Sequence, residues 1–252
     1  MFFGYDLKEI VTFPFKDADS RKYLLIGGLI SIAAFFIPIL PYFILYGYAV
    51  IIVRQVLNGE SPHMVPWEDW NGMFKDGAKL FGVRLIFALP IIIFSIPLML
   101  GGIAMPFIAE GMDSGSTDTF LAIYTLVMLG TMCIIIPLSI PLVVIIPAAE
   151  MHNVDKDDFA AAFRFKEWWL ILRANLGGFI VAFGIYYAVS MLFAIVMQLL
   201  FVTIILACLG FILIPAMTIY ITLVMYVTVA QAYKVGKEKL AQAAIDAPIA
   251  AQ

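Results

Sequence analysis

The residues of this chain that could carry chemistry are few and scattered. Its two cysteines, Cys133 and Cys208, lie far apart in apolar runs without CxxC spacing, so they predict neither a disulfide framework nor a redox site. No Asp, Glu and His cluster has metal-ligand spacing, and neither a nucleophile elbow nor a phosphate-binding loop occurs. We therefore expect no catalytic residue, no metal and no enzymatic activity.

The two histidines are the remaining candidates for binding a cofactor. Haem and chlorophyll ligation need a histidine on a helix that faces a pocket. His63 lies in a polar segment and His152 just past an apolar run, so we expect both to be solvated and no cofactor to be bound. Ligation of one pigment by His152 stays open as a minor alternative.

The composition identifies the class of protein. The chain has 252 residues, of which 63% are hydrophobic and 13% charged, whereas soluble domains have about 45–50% apolar and about 25% charged residues. These proportions indicate an integral membrane protein. The net charge of -3 and the lack of a basic patch predict no nucleic-acid partner.

The positions of the charged residues predict the membrane helices. Four intervals lack charged residues: 23–53, 85–109, 119–149 and 174–233. About 20 helical residues cross the hydrocarbon layer. The second and third intervals therefore each fit one span, and the fourth fits two spans with a turn near 199–203. The first is long for one helix and short for two.

Basic residues favour one solution for the first interval. All fifteen Lys and Arg lie in four segments, whereas the loop 110–118, EGMDSGSTD, has none and is the best candidate for the outer side. Both ends of the first interval then face the cytoplasm, which favours a short helical hairpin turning at 37–41. Pro38 and Pro41 disfavour a straight helix there. The alternative is one kinked span with an outer N-terminus.

The resulting model is an all-α, polytopic helix bundle forming a single integral membrane domain over 1–252. The segments 1–22 and 235–252 are cytoplasmic in this model. Six membrane helices are predicted, at 20–37, 41–57, 82–109, 119–149, 174–199 and 203–234.

Ionisable groups are absent from the middle of every predicted span. Glu110, Glu150 and Arg173 fall at span ends, where we expect solvated boundary charges. Ion-coupled transporters usually place ionisable residues within the membrane. The pattern therefore disfavours ion-coupled transport.

Three segments resemble one another weakly. Each has an apolar residue followed by Ile and Pro, with the proline at Pro38, Pro137 or Pro215, and each ends in polar residues. A duplication would place proline-broken helices at a repeat interface, where transporters hold their substrates. The alternative is that any Ile-rich membrane helix with a proline looks similar.

Two segments predict amphipathic helices at the membrane interface. In 66–81, the residues Trp67, Trp70, Phe74 and Gly77 recur at helical spacing, and Pro66 suits the first turn. The segment 157–173 carries a second aromatic set beside basic residues, including Phe163, Trp168, Trp169 and Arg173. These nine residues are our candidates for contact with lipid headgroups or a partner protein. Alternatively, the aromatic rings only fix the depth of the two helices in the membrane.

Several of these residues also carry a family resemblance. The cluster Gly59-Glu60, Pro66-Trp67-Glu68-Asp69-Trp70 and Asp76-Gly77 resembles DUF4013, an uncharacterised family of bacterial and archaeal membrane proteins. The resemblance extends over nearly the whole chain. It implies a multi-helix fold in a prokaryotic cytoplasmic membrane, and it implies no activity.

Two functions fit these observations. The first is a structural or accessory subunit that binds other membrane proteins, or itself, and membrane lipids. Its support is the absence of reactive groups together with the glycine pairs 27–28, 101–102 and 177–178, which permit close helix approach. The second is a transporter or lipid-handling protein with a cavity between proline-broken helices.

Overall fold

A computed structural model describes residues 6–111, 113–202 and 204–246, and within them the chain is all-α. The eight α-helices of this part are α1 (Leu7–Thr12), α2 (Ala18–Ala33), α3 (Leu40–Leu57), α4 (Trp70–Gly111), α5 (Ser114–Lys156), α6 (Phe165–Ala174), α7 (Leu176–Phe201) and α8 (Ile204–Asp246). Short 3₁₀ helices cover Phe13–Phe15 and Phe159–Phe163. The predicted all-α class is confirmed.

The first charge-free interval forms two helices rather than one. Its chain turns between Ala33 and Leu40, close to the predicted position. Along α2, Gly27 lies beside Ile219 and Gly28 beside Ala216, so α2 runs antiparallel to α8. Along α3, Tyr46 lies beside Tyr226 and Gly59, just after the helix, beside Lys234, so α3 runs parallel to α8. The two helices therefore form a hairpin, and the kinked single span is wrong.

Five helical segments are long and apolar enough to cross a membrane, among the residues that the structure describes. They are Leu40–Leu57, Trp70–Ile108, Gly115–Lys156, Leu176–Phe201 and Leu213–Asp246. The sixth predicted span, 20–37, corresponds to α2, which has 16 residues and begins in a polar sequence. The predicted turn between the last two spans is confirmed, because α7 ends at Phe201 and α8 begins at Ile204.

The first predicted interfacial helix begins later than expected. Pro66 and Trp67 lie in an irregular segment before α4, so the prediction of Pro66 in a first helical turn is wrong. Asp69 instead caps the helix, because its carboxylate accepts the Gly72 N–H at 2.9 Å and its carbonyl accepts the Met73 N–H. From Trp70 onward the amphipathic turns and the predicted span are one continuous helix.

The second predicted interfacial helix is divided. Its first part is the 3₁₀ helix Phe159–Phe163, which Asp158 caps by accepting the Ala160 N–H at 3.0 Å. Arg164 has non-helical backbone angles, and α6 follows as a separate amphipathic helix that ends before Asn175. The single helix expected over 157–173 is therefore wrong.

The proposed proline repeat is not reflected in helix breaks. Pro38 lies in the turn of the hairpin, but α5 continues through Pro137 and α8 through Pro215. The expectation of proline-broken helices thus holds only at Pro38.

The chain divides into two compact units. Unit 1 comprises Met1–Val83 and Pro147–Gln252, and within it α2, α3, α6 and α7 each pack against α8. Unit 2 is Arg84–Ile146, the later part of α4 and the earlier part of α5. In unit 2 the Tyr124 ring covers Gly101, and its hydroxyl donates to the Leu98 carbonyl at 3.3 Å.

A close helix approach in unit 1 joins α3 and α4 through two glycines. A Cβ on Gly47 would overlap the Met73 carbonyl, and a Cβ on Gly77 would overlap the Phe43 carbonyl. The Phe43 ring packs edge-on against Phe74 at 5.4 Å. Two backbones therefore touch here, which only residues without a side chain permit.

We expect Gly47→Ala to lower the thermal unfolding midpoint in mild detergent, since the added methyl must push the two backbones apart at a cost of about 1–3 kcal/mol. The matched control is Gly184→Ala on α7, where a Cβ would meet no atom within 4 Å. An unchanged midpoint in Gly47→Ala would contradict the close crossing.

Candidate functional site

Some candidate residues of the first segment are buried and others are exposed. Trp67 is buried, stacks on Tyr48 at 3.9 Å between ring centroids, and donates its indole N–H to the Tyr23 carbonyl at 3.0 Å. Pro66, Trp70 and Phe74 are exposed. Gly77 is buried in the α3–α4 crossing.

The second segment divides in the same way. Trp168 is fully buried and donates its indole N–H to the Ala162 carbonyl at 2.9 Å. Phe163, Trp169 and Arg173 are exposed. Trp67, Gly77 and Trp168 therefore belong to the interior of unit 1. The members of the predicted set that can touch lipid or a partner are Pro66, Trp70, Phe74, Phe163, Trp169 and Arg173.

An ion network joins the two segments. Asp157 accepts hydrogen bonds from Lys79 at 3.0 Å and from Arg54 at 3.2 Å, and Arg54 also pairs with Asp76 at 2.5 Å. The hydrogen bond from Lys79 is the main reason that the pKa of Asp157 lies below its ordinary value. Because the Asp157 side chain is 68% exposed, solvent screens these pairs and their main effect is positional. Phe159 packs over Gly82 beside this network.

Glu150 and His152 are deeply buried, so the expectation that they are solvated boundary groups is wrong. Glu150 accepts the Tyr226 hydroxyl at 3.1 Å. His152 Nδ1 lies 2.6 Å from the Tyr233 hydroxyl, and Nε2 lies 3.0 Å from Glu167 Oε2. We call Glu150, His152, Tyr226 and Tyr233 the buried polar cluster. It holds the end of α5 to α8, and the exposed Glu167 connects it to α6.

The partners of His152 indicate its tautomer. A carboxylate such as Glu167 can only accept, so Nε2 carries the proton, and the Nδ1 of a neutral ring accepts the Tyr233 hydroxyl. Both ring nitrogens are occupied, so ligation of a pigment by His152 would require breaking one of these bonds. Within the described residues, no group of three or more His, Cys, Asp or Glu could hold a metal ion.

His63 matches the expectation of an exposed polar position. Its backbone N–H donates to Gln55 Oε1 at 3.0 Å, while its ring is exposed.

The buried polar cluster left only a weak signal in the sequence. Tyr226 and Tyr233 are seven residues apart, which places both on one face of α8. Glu150 and His152 lie two residues apart at the end of an apolar run, a position equally typical of solvated groups. The sequence does not indicate which helix covers them, because their partners on α8 lie 76 and 81 residues further along the chain.

We expect Tyr233→Phe to destabilise unit 1 by about 1–3 kcal/mol, because His152 Nδ1 would stay buried without its donor. Thermal unfolding in detergent measures the effect. Tyr187→Phe is the matched control, since the Tyr187 side chain is 54% exposed. Equal midpoints for the two variants would show that the His152–Tyr233 bond does not stabilise the fold.

The comparison with known families agrees with the resemblance found in the sequence. No curated protein and no solved structure matches the chain. One family model matches residues 30–202, and its description is "Protein of unknown function (DUF4013)". These residues extend from the end of α2 to the end of α7 and include both aromatic segments. Since the match covers more than half of the chain, this membrane protein belongs to the DUF4013 family.

Proposed function

We propose that this chain is a non-enzymatic accessory or structural subunit of a prokaryotic cytoplasmic membrane, which binds other membrane proteins and lipids. The observation that carries this proposal is the exposure of unit 2. Between 84 and 146, Thr131 is the one buried residue among those whose burial the structure describes, and it is still 9% exposed. Large apolar side chains such as Ile103, Phe107 and Leu126 are 65–76% exposed.

The composition of this surface suits membrane contacts. Helices in a bilayer associate by close packing and by hydrogen bonds, since lipid is as apolar as their side chains. Gly130 supports such packing with a second helix, because a Cβ on it would meet no atom within 4 Å. Gly101, in contrast, is already covered by Tyr124. Unit 2 thus has an open small-residue position beside large exposed side chains.

The exposed aromatic set supports lipid contact at the membrane surface. Trp70 and Trp169 are 45% and 37% exposed, and the helix of Trp169 also carries the exposed Lys166 and Arg173. Tryptophan rings favour the headgroup region, and basic side chains favour anionic lipids. In our proposal this surface faces the cytoplasm, as do both termini, because the basic residues cluster there.

A size measurement on matched variants tests the proposal. The chain is purified in mild detergent and its assemblies are weighed by native mass spectrometry, which resolves bound proteins and lipids. We expect the chain to occur with a second copy or a second membrane protein in a fixed ratio. Gly130→Leu should abolish that assembly, because the new side chain occupies the open position on unit 2.

Gly184→Leu is the control, since Gly184 of α7 is equally open but lies in unit 1. It should leave the assembly intact. A wild-type chain that runs alone, or equal assemblies in both variants, would contradict the proposed subunit role.

A further inference from the structure

The turn of the α2–α3 hairpin has an unusual surface. Its residues 34–39 are Ala-Phe-Phe-Ile-Pro-Ile, without a polar side chain. Phe36 is 82% exposed, Phe35 is 64%, and Ile37 and Ile39 are just above 50%. Moving an exposed Phe or Ile side chain from water into an apolar phase is worth about 1.5–3 kcal/mol. The loop 110–118, in contrast, has acids, hydroxyls and glycines.

Neither uncharged arm of the hairpin is as long as the hydrocarbon layer is thick, and α3 reaches the length of a span only when its last turn, which carries Arg54, is counted. The apolar part of α2, residues 23–33, is about 16 Å long, and the part of α3 before Arg54, residues 40–53, about 21 Å. The hydrocarbon layer is about 30 Å thick. Arg21 and Lys22 lie near the start of α2 and Arg54 lies near the end of α3, so both open ends of the hairpin carry basic residues.

The neighbouring helix α8 shows how far the hairpin extends within unit 1. Gly28 lies beside Ala216, and Ile204, the first residue of α8, is twelve residues before Ala216 and about 18 Å from it along the axis. The last residue of α2, Ala33, is only about 8 Å beyond Gly28. The hairpin therefore turns about 10 Å before the level at which α8 begins.

The backbone of the turn is suited to surroundings without water. The N–H groups of residues 34–37 donate to carbonyls of residues 31–33, and the Tyr42 N–H donates to Ile39. Pro38 and Pro41 have no N–H. Among the described residues 34–42, Ile39 has the one N–H without a backbone acceptor. Nearly every donor is thus satisfied within the turn, as hydrocarbon surroundings demand.

One of these bonds is formed at the cost of strain. The Leu40 N–H donates to the Pro38 carbonyl at 3.0 Å, which closes a γ-turn around Ile39. Ile39 has a φ of 77° there, which is strained for a β-branched residue. In water the Leu40 N–H would find a solvent acceptor without this strain. The γ-turn is therefore most favourable where no water is present to accept a hydrogen bond from the Leu40 N–H.

We propose that the α2–α3 hairpin is a re-entrant element whose turn ends within the hydrocarbon layer and binds lipid acyl chains through Phe35, Phe36, Ile37 and Ile39. The hairpin enters and leaves at the same membrane face. The complete crossings are then made by α4, α5, α7 and α8.

Cysteine labelling tests this topology on the full chain. Cys133 and Cys208 are replaced by Ala, and Phe36→Cys, Asp118→Cys or Lys75→Cys is added. A membrane-impermeant maleimide is applied to intact cells and to inverted vesicles. We expect Asp118→Cys and Lys75→Cys each to be labelled from one face, and Phe36→Cys to be labelled from neither until detergent is added.

Labelling of Phe36→Cys from either face in intact membranes would overturn the proposal, since the turn would then be in water. Phe36 makes little internal contact, so the substitution should leave the fold intact. The unfolding midpoint checks this, and Ile37→Cys, whose native side chain is 53% exposed, is a second variant.

A depth measurement separates lipid from a protein that covers the turn. The purified Phe36→Cys chain carries a bimane fluorophore in vesicles of phosphatidylethanolamine and phosphatidylglycerol. Nitroxides deep in the acyl chains should quench bimane more strongly than nitroxides near the headgroups. Absent quenching, or stronger quenching by the shallow nitroxide, would overturn acyl-chain binding. Neither outcome depends on whether the chain is an accessory subunit.

Discussion

The structure depends on one constraint: polar groups buried in a largely apolar chain must find partners. Glu150 and His152 enter the interior of unit 1 at the end of α5, and the hydroxyls of Tyr226 and Tyr233 meet them on one face of α8. A buried polar group left unpaired costs about 1–3 kcal/mol, and more when it is charged. Sliding or rotating this end of α5 along α8 would break both contacts, so the pair of bonds determines their register.

The remaining helices of unit 1 are arranged around the same helix. The hairpin of α2 and α3 packs on α8, and so do α6 and α7. Glu167 extends the buried polar cluster to α6, while Asp157 ties the segment after α5 to Arg54 of α3 and Lys79 of α4. Polar contacts thus position the helices of unit 1. Most of the exposed side chains on α7, in contrast, are apolar.

The general architecture could be predicted from the sequence because it follows from the distribution of charges. The length of the charge-free interval 174–233 predicts the α7–α8 turn, and Pro38 and Pro41 predict the turn of the hairpin, each within a few residues. The exact start of a helix is harder to predict, since Asp69 rather than Pro66 caps the start of α4. Which side chains are buried could not be predicted. Trp67 and Trp168 look like interfacial anchors until Tyr48 and Ala162 are seen to bind them.

The sequence does not predict the burial of Glu150 and His152, for the same physical reason. Their partners are distant in sequence, and an ionisable residue at the end of an apolar run looks the same whether water or another helix lies beside it. The glycine contacts are equally difficult to predict from the sequence. The sequence shows adjacent glycine pairs, but the close crossing of α3 and α4 uses Gly47 and Gly77, which are 30 residues apart. Only the folded chain brings such positions together.

The hydrogen bond from Tyr226 of α8 to Glu150 of α5 stabilises the fold through specific pairing, and a double-mutant cycle measures that effect directly. The unfolding free energies of wild type, Glu150→Leu, Tyr226→Phe and the double variant are compared in detergent. Our account predicts a coupling energy of about 1–3 kcal/mol between the two sites. Additive effects, with a coupling energy below about 0.3 kcal/mol, would contradict it.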